Sequence, residues 1–380
     1  MTKGQIFGRD PADGKPLAIT IADGHIAAIE PGPASANGFL AAGLVDLQVN
    51  GFAGIDLNDG QLKADSLGRL AAALRRHGTT CFVPTLITAG EEQLTRGLVQ
   101  IAASRRADPR LAHCVPFIHL EGPWLSPEDG PRGAHDRAHI RPPDLAEFQR
   151  WNEAAAGAIG LVTLSPPWPN STAVIAELVR HGIIVSIGHT NASPKQIEAA
   201  VEAGASLATH LGNGAASTLP RHPNFIWSQL ADDRLVACFI ADGHHLAAAP
   251  FKAMLRAKGL KNSILVSDAT ALAGMPAGFY DQPIGGKVEL SADGRLSLYG
   301  TPYLAGAALP LSDMVARAVT MAGIGLSDAL ALANANPARL LGRSGRLEVG
   351  ASADIIRFSW APGDTSLVMD SVWVRGEIDG

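Results

Sequence analysis

Cysteine is scarce: three residues in 380, at positions 81, 114 and 238, with no CxxC pair. This excludes a disulfide framework and a cysteine-rich zinc site, and it leads us to expect a cytoplasmic protein with inert, buried thiols. Basic residues are not in excess. Thirty-one Lys and Arg against 36 Asp and Glu give a formal charge of −5, so nucleic-acid binding is not expected as the main task. No apolar run reaches the ~18 residues of a membrane span, so no membrane partner is expected. Met1–Asp10 has no apolar segment of the kind a secretory signal carries. Aromatics make up only 5% and charged residues only 18%. What is abundant is apolar side chain, at 47%, together with 41 glycines and 25 prolines. That composition supports a large core joined by many short loops. The length allows two or three domains, or one large barrel with an accessory piece.

Eight short apolar runs, rich in Val, Ile and Leu, punctuate residues 43–270: 43–51, 79–88, 115–121, 159–166, 183–190, 207–213, 236–245 and 264–270. Between them lie stretches with helical spacing, such as 62–77 and 91–106. Ser171 is expected to cap a helix running to Arg180. Ser193-Pro194 is expected to open another that ends before Gly204. Eight alternating β and α units predict a (β/α)8 barrel of the TIM type, with an open doubly wound sheet as the rival. The ends differ. Leu17–Ile21 and His25–Ile29 flank Asp23-Gly24, a hairpin signal, and short strand-like runs recur after Gly345. We expect residues 1–42 and 344–380 to form a small β-sandwich domain and residues 43–343 to form the barrel. A hairpin around Asp293-Gly294 follows the eighth strand.

In such a barrel the active site lies at the C-terminal strand ends. The strand tips read Asp46, Gln48 and Asn50; His119 and Glu121; His189; His210; Asp242, His244 and His245; and Asp268. Five of the chain's 12 histidines fall in four of these tips, which packing explains poorly. Glu121, His189 and His210 offer one carboxylate and two imidazoles, a donor set for one divalent cation. Zn²⁺ is the first expectation, with Fe²⁺, Mn²⁺ and Co²⁺ as alternatives. Asp268, on a separate strand, can take a proton from water and return it to a leaving group. These residues alone indicate a metal-dependent hydrolase without naming a substrate.

Eight segments carry a resemblance: GLVDLQVNGFAG (43–54), HLEGPWLS (119–126), RGAH (132–135), IGHTNAS (187–193), THLGNGA (209–215), ADGHHL (241–246), LVSDAT (265–270) and TPYLAGAAL (301–309). In this order and spacing the chain resembles the N-acetylglucosamine-6-phosphate deacetylase family of the amidohydrolase superfamily. The resemblance implies deacetylation of N-acetylglucosamine-6-phosphate to glucosamine-6-phosphate and acetate, in amino-sugar catabolism. It implies that Glu121, His189 and His210 hold the metal. Asp268 would be the general base and then the general acid, and His135 would polarise the acetyl carbonyl. Asn213 and Gly214 would contact the sugar phosphate, and His245 the sugar near it. Arg221 would bind phosphate in the neighbouring subunit's site, which implies a homodimer.

Some positions depart from that pattern. Two-metal relatives carry His-x-His on strand 1, where this chain has Gln48 and Asn50, so these read as vestigial second-metal positions and one metal is expected. Gly212 and Gly214 flank Asn213, and Ala307 replaces the usual serine. Those changes keep open another N-acyl amino sugar or a cyclic amide as substrate, as well as a non-catalytic sugar-phosphate-binding barrel. His244 reads as structural, and Trp124 and Trp227 as either pocket lining or packing. His222 and Asn224 read as candidate helpers of Arg221.

Overall fold

The computed structural model describes residues 4–282, 286–301 and 303–379. Residues 1–3, Pro302 of the TPYLAGAAL motif and the 283–285 part of the expected hairpin lie outside the described residues. Eight parallel strands form one sheet in sequence order: β1 (Leu44–Val49), β2 (Thr79–Ile87), β3 (Ile118–Glu121), β4 (Ile159–Leu164), β5 (Ile184–Ile187), β6 (Leu207–Ala208), β7 (Val236–Phe239) and β8 (Ser263–Leu265). The sheet closes on itself. Val49 bridges Ala269 in parallel sense, and the Asn50 and Gly51 N–H groups donate to the Ala269 carbonyl at 2.8 and 3.0 Å. A doubly wound sheet reverses its strand order at a switch point; this one does not. The chain therefore folds as a (β/α)8 barrel.

Local chemistry explains the elements. β1 and all but the last residue of β2 are buried along their length, as strands covered on both faces must be, which is why they read as continuous apolar runs. Helix Glu91–Ala107 turns Leu94, Leu98 and Ile101 inward at helical spacing. Helix Pro194–Glu202 starts as expected, with Pro at its first turn and the Ser193 N–H donating to Gln196 Oε1 at 2.8 Å. Ser171 differs from expectation. Asn170 takes the cap position at φ +63°, and the Ser171 hydroxyl instead donates to the Pro166 carbonyl at 2.6 Å, satisfying a buried acceptor just past β4.

The two termini share one mixed seven-stranded sheet. Gly4–Arg9 runs parallel to Phe39–Ala42, which pairs antiparallel with Ile355–Ser359. Asp23 and Gly24 both adopt left-handed backbone, the conformation that closes a two-residue hairpin between Pro16–Ala22 and His25–Pro31. Ile19, Ile26, Leu40, Ile355 and Trp373 form its core. Between β8 and helix Leu311–Ala322 stands a four-stranded antiparallel insert, Gly278–Gln282, Gly286–Leu290, Arg295–Leu298 and Leu304–Ala307, larger than the single hairpin expected. No helix among the described residues is long and apolar enough to cross a membrane.

Asp46, expected at a strand tip, instead lies within β1, below the strand-end cluster. Asp46 in β1 is buried; its Oδ1 accepts from the Gln48 and Ser267 N–H groups at 3.3 and 3.1 Å, and its Oδ2 has no partner. Burial pushes its pKa up from 3.8 to about 7. Between those values the folded state holds a proton that the unfolded chain has released. Its contribution to stability is thus complete below pH 4 and is lost as pH rises through about 7. Asp46→Asn should flatten that loss. Urea unfolding at pH 5 and pH 8 should show the wild type losing roughly a few kcal/mol more than the variant.

Candidate active site

β3, β5 and β6 deliver the donor triad to one point. His189 Nε2 lies 3.2 Å and His210 Nε2 3.0 Å from Glu121 Oε1, and the two imidazole nitrogens are 3.1 Å apart. Potential ligand atoms of all three residues lie within 4.8 Å of one another, and all three are buried. The donor set fits a cation. The His189 Nδ1–H donates to the Pro131 carbonyl at 2.8 Å, which leaves the Nε2 lone pair facing the cluster. Two nitrogens bound to one tetrahedral Zn²⁺ at ~2.0–2.1 Å lie roughly 3.3 Å apart, close to the spacing seen here. Burial alone would raise the Glu121 pKa, but the two imidazoles outweigh it and hold the carboxyl well below its usual range.

His189, His210 and Asp268 all have positive φ, at 48°, 25° and 50°. Non-glycine residues avoid this region, so the strand tips are bent into it against local preference, and the surrounding barrel holds them there. Gly214 at φ +57° is close-packed behind them: a Cβ there would lie 2.7 Å from His189 Nδ1. Gly214→Ala should therefore push the His189 ring off its Pro131 contact and weaken metal binding about 10–100-fold, the usual loss when an outer hydrogen bond to a ligand is broken. Metal content after dialysis against a weak chelator measures it.

Gln48 and Asn50 do not sit idle. Gln48 Nε2 donates to Glu121 Oε1 at 2.9 Å, and Asn50 Nδ2 donates to Asp268 Oδ1 at 2.7 Å. Each amide orients one carboxylate of the site. Burial first, and the Glu121 charge second, push the Asp268 pKa up to about 6. His135 Nδ1 lies 2.9 Å from the Thr88 hydroxyl, and its ring stacks edge-on against His189 at 4.4 Å between centroids. Burial first, then His189, push the His135 pKa down to about 3, so its ring is neutral. A hydroxyl proton given to Nδ1 leaves Nε2–H as the donor.

Glu121, His189, His210, Asp268, Asn50 and His135 line a cavity of about 330 Å³ that also takes in Asn213, Gly214, His245, Asp56, Asn58 and Gln282. Leu296, Leu304, Ala305 and Gly306 of the antiparallel insert form another part of its wall. Arg221 is not brought there. It is exposed and lies outside the cavity of its own chain, as do exposed His222 and partly buried Asn224. Among the described lining residues there is no lysine or arginine. Trp124 is core, packed on Trp151, and Trp227 is 57% exposed. His244 Nε2 pairs with the Asp293 carbonyl at 3.2 Å, a structural contact. All three cysteines are buried and free, and burial raises each thiol pKa, Cys81 to about 12. His119 is buried with its ring nitrogens near the Thr85 and Thr163 hydroxyls, and it does not join the cluster.

Sequence reasoning missed Thr88, Asp56 and Gln282, and gave Asp242 no task. Asp56 lies just past a named motif and Thr88 ends an apolar run, but nothing in residue type or spacing marks Asp56 as facing the cavity or Thr88 as the partner of His135.

A closed parallel barrel with a carboxylate and two imidazoles gathered at its strand ends, and a further carboxylate just past the last strand, is the architecture of a metal-site hydrolase. The model of the amidohydrolase family matches residues 39–378, and the chain belongs to that family. Its relatives narrow the branch to sugar-phosphate deacetylases. It is 32% identical over 328 residues to N-acetylglucosamine-6-phosphate deacetylase of Bacillus subtilis, covering 85% of this chain and 81% of that one. It is 30% identical to N-acetylgalactosamine-6-phosphate deacetylase of Escherichia coli O157:H7, covering 95% and 94%. A solved structure of a variant N-acetyl-D-glucosamine-6-phosphate deacetylase from Mycobacterium smegmatis, in complex with N-acetyl-D-glucosamine-6-phosphate, superposes with a TM-score of 0.85 at 32% identity, covering 96% and 94%.

Proposed function

We propose that this chain hydrolyses the acetamide of N-acetylglucosamine-6-phosphate, releasing glucosamine-6-phosphate and acetate in amino-sugar catabolism. The observation that carries the reading is the convergence of Glu121, His189 and His210 beside Asp268 in one cavity. Glu121, His189 and His210 would hold one divalent cation, Zn²⁺ first. When bound, such an ion supplies Lewis acidity, acidifying water and polarising a carbonyl oxygen. The chain's own groups do the rest. Asp268, oriented by Asn50, takes a proton from the attacking water, whose oxygen bonds to the acetyl carbon. The same carboxyl returns the proton to the sugar nitrogen as the C–N bond breaks. Neutral His135 donates Nε2–H to the carbonyl oxygen as negative charge develops there.

Asn213, Gly214 and His245 would hold the sugar-phosphate end. With no lysine or arginine among the described residues of the wall, and with Asp56, Glu121 and Asp268 on it, one chain gives a phosphate no strong countercharge. We therefore place Arg221 of the partner subunit there, in a homodimer. The three free cysteines support a cytoplasmic setting, and the sheet that joins both termini supports a small domain of residues 1–42 and 344–380 beside a barrel of 43–343.

A second reading takes N-acetylgalactosamine-6-phosphate as substrate. It is favoured by the Escherichia coli relative, which is similar along nearly the whole chain. A deacetylation assay on the gluco, galacto and manno sugar phosphates and their unphosphorylated forms decides between them. Turnover of none of them would overturn both readings.

A further inference from the structure

His245 is the cavity residue whose own support is most fully drawn. Its ring Nδ1 lies 2.6 Å from Asp242 Oδ2. The other oxygen of that carboxylate accepts from the His244 and His245 N–H groups at 2.8 and 2.7 Å. Asp242 is 1% exposed, so a single buried carboxylate fixes both the backbone and the ring of the residue that faces the cavity. Burial alone would raise its pKa, but the His245 ring and the two N–H groups bring it below the usual value, so it is ionised. A carboxylate only accepts. Nδ1 therefore carries a proton that is committed to Asp242, and Nε2 is the ring nitrogen left for a ligand. Among the described residues the ring has no other hydrogen-bond partner.

The Asp242 loop is itself anchored. Arg317, on helix Leu311–Ala322, donates Nη1 to the Asp242 carbonyl at 3.1 Å and Nη2 to the Asp293 carbonyl at 3.2 Å. His244 meets the same Asp293 carbonyl. Asp293 sits at the turn of the antiparallel insert that walls the cavity. One arginine thus ties the tip of β7 to that wall.

We propose that Asp242 is a positioning residue for substrate binding: it fixes the tautomer and orientation of His245 so that Nε2 meets the phosphate-bearing end of the sugar. This rests on the sugar-phosphate reading above. A carboxylate that merely held the fold would affect folding and turnover without regard to His245. A positioning residue has no effect once His245 is gone.

The test is a double-mutant cycle on the metal-loaded enzyme with N-acetylglucosamine-6-phosphate. Asp242→Ala and His245→Ala should each raise KM about tenfold or more, the worth of a hydrogen bond to a charged group, with kcat changing less than KM. The double variant should be no worse than His245→Ala. The Asp242→Ala penalty should shrink on unphosphorylated N-acetylglucosamine. If Asp242→Ala does not fold, Asp242→Asn enters the same cycle, because an amide cannot accept from the ring and both N–H groups at once. Additive losses, or a fall in kcat with KM unmoved, would overturn the inference. A wild-type enzyme that turns over no sugar phosphate would overturn the underlying reading instead.

Discussion

Asp268→Asn should lower kcat by about 10²–10⁴-fold, the range that a positioned acid–base group contributes, while the protein keeps its metal. The replacement is close to isosteric. Its amide oxygen can still accept from Asn50 Nδ2, as Oδ1 does now at 2.7 Å, so the strand tip at φ +50° keeps its anchor. What is lost is the ability to hold and release a proton. Burial and the Glu121 charge place the Asp268 pKa at about 6, within reach of both roles near neutral pH. A cation bound beside it would favour the ionised form that accepts the first proton. Metal analysis of the variant separates two roles. Retained metal with lost turnover assigns Asp268 to proton transfer. Loss of both would make it a ligand, and near-normal turnover would remove it from the reaction.

The barrel was legible because its signals are local. Apolar runs bounded by glycine and polar residues mark the strands, and their eight-fold alternation with helices fixes the class. The runs still overstate the strands. Residues 207–213 read as one element, yet β6 stops at Ala208, because the chain turns at Thr209 and reaches His210 with φ +25°. Hydrophobicity does not report backbone sign, and at these tips the barrel overrides the residue's preference. Helices Leu145–Ala154, Phe225–Ala231 and Ala248–Lys258 went unread for a related reason. Their apolar faces are short, with two or three large buried side chains each, and packing on the barrel makes them helical.

The site was legible where chemistry is concentrated in residue type. Histidine and glutamate at strand ends announce themselves; threonine does not, and so Thr88 behind His135 was invisible. In the sequence, Gln48 and Asn50 stand out only as absences of histidine. Their positive task, each amide donating to one carboxylate, depends on contacts between strands 73 and 218 residues apart. Asp242 was visible as a strand-tip carboxylate, but only the fold shows both of its oxygens committed to the His245 segment.

Arg221→Ala should raise KM for the phosphorylated substrate by about 10–100-fold, as expected for a charge-assisted contact with phosphate, and should alter the unphosphorylated sugar far less. The geometry of a single chain makes this a demand on the assembly. Arg221 is exposed and outside its own cavity, while the described residues of the cavity wall include three carboxylates and neither lysine nor arginine. A phosphate entering that wall alone would meet like charge. If the guanidinium arrives from a neighbour, complementation follows from two-fold symmetry. Arg221→Ala subunits keep Asp268, and Asp268→Asn subunits keep Arg221. In a hybrid dimer, one site then combines an intact Asp268 with the partner's intact arginine, so mixing two crippled proteins should restore turnover at low substrate. If Arg221 served its own subunit, every site in the mixture would lack one group or the other, and nothing would return. Size measurement on the same samples completes the test, since a monomeric wild type with full activity would end the cross-subunit account.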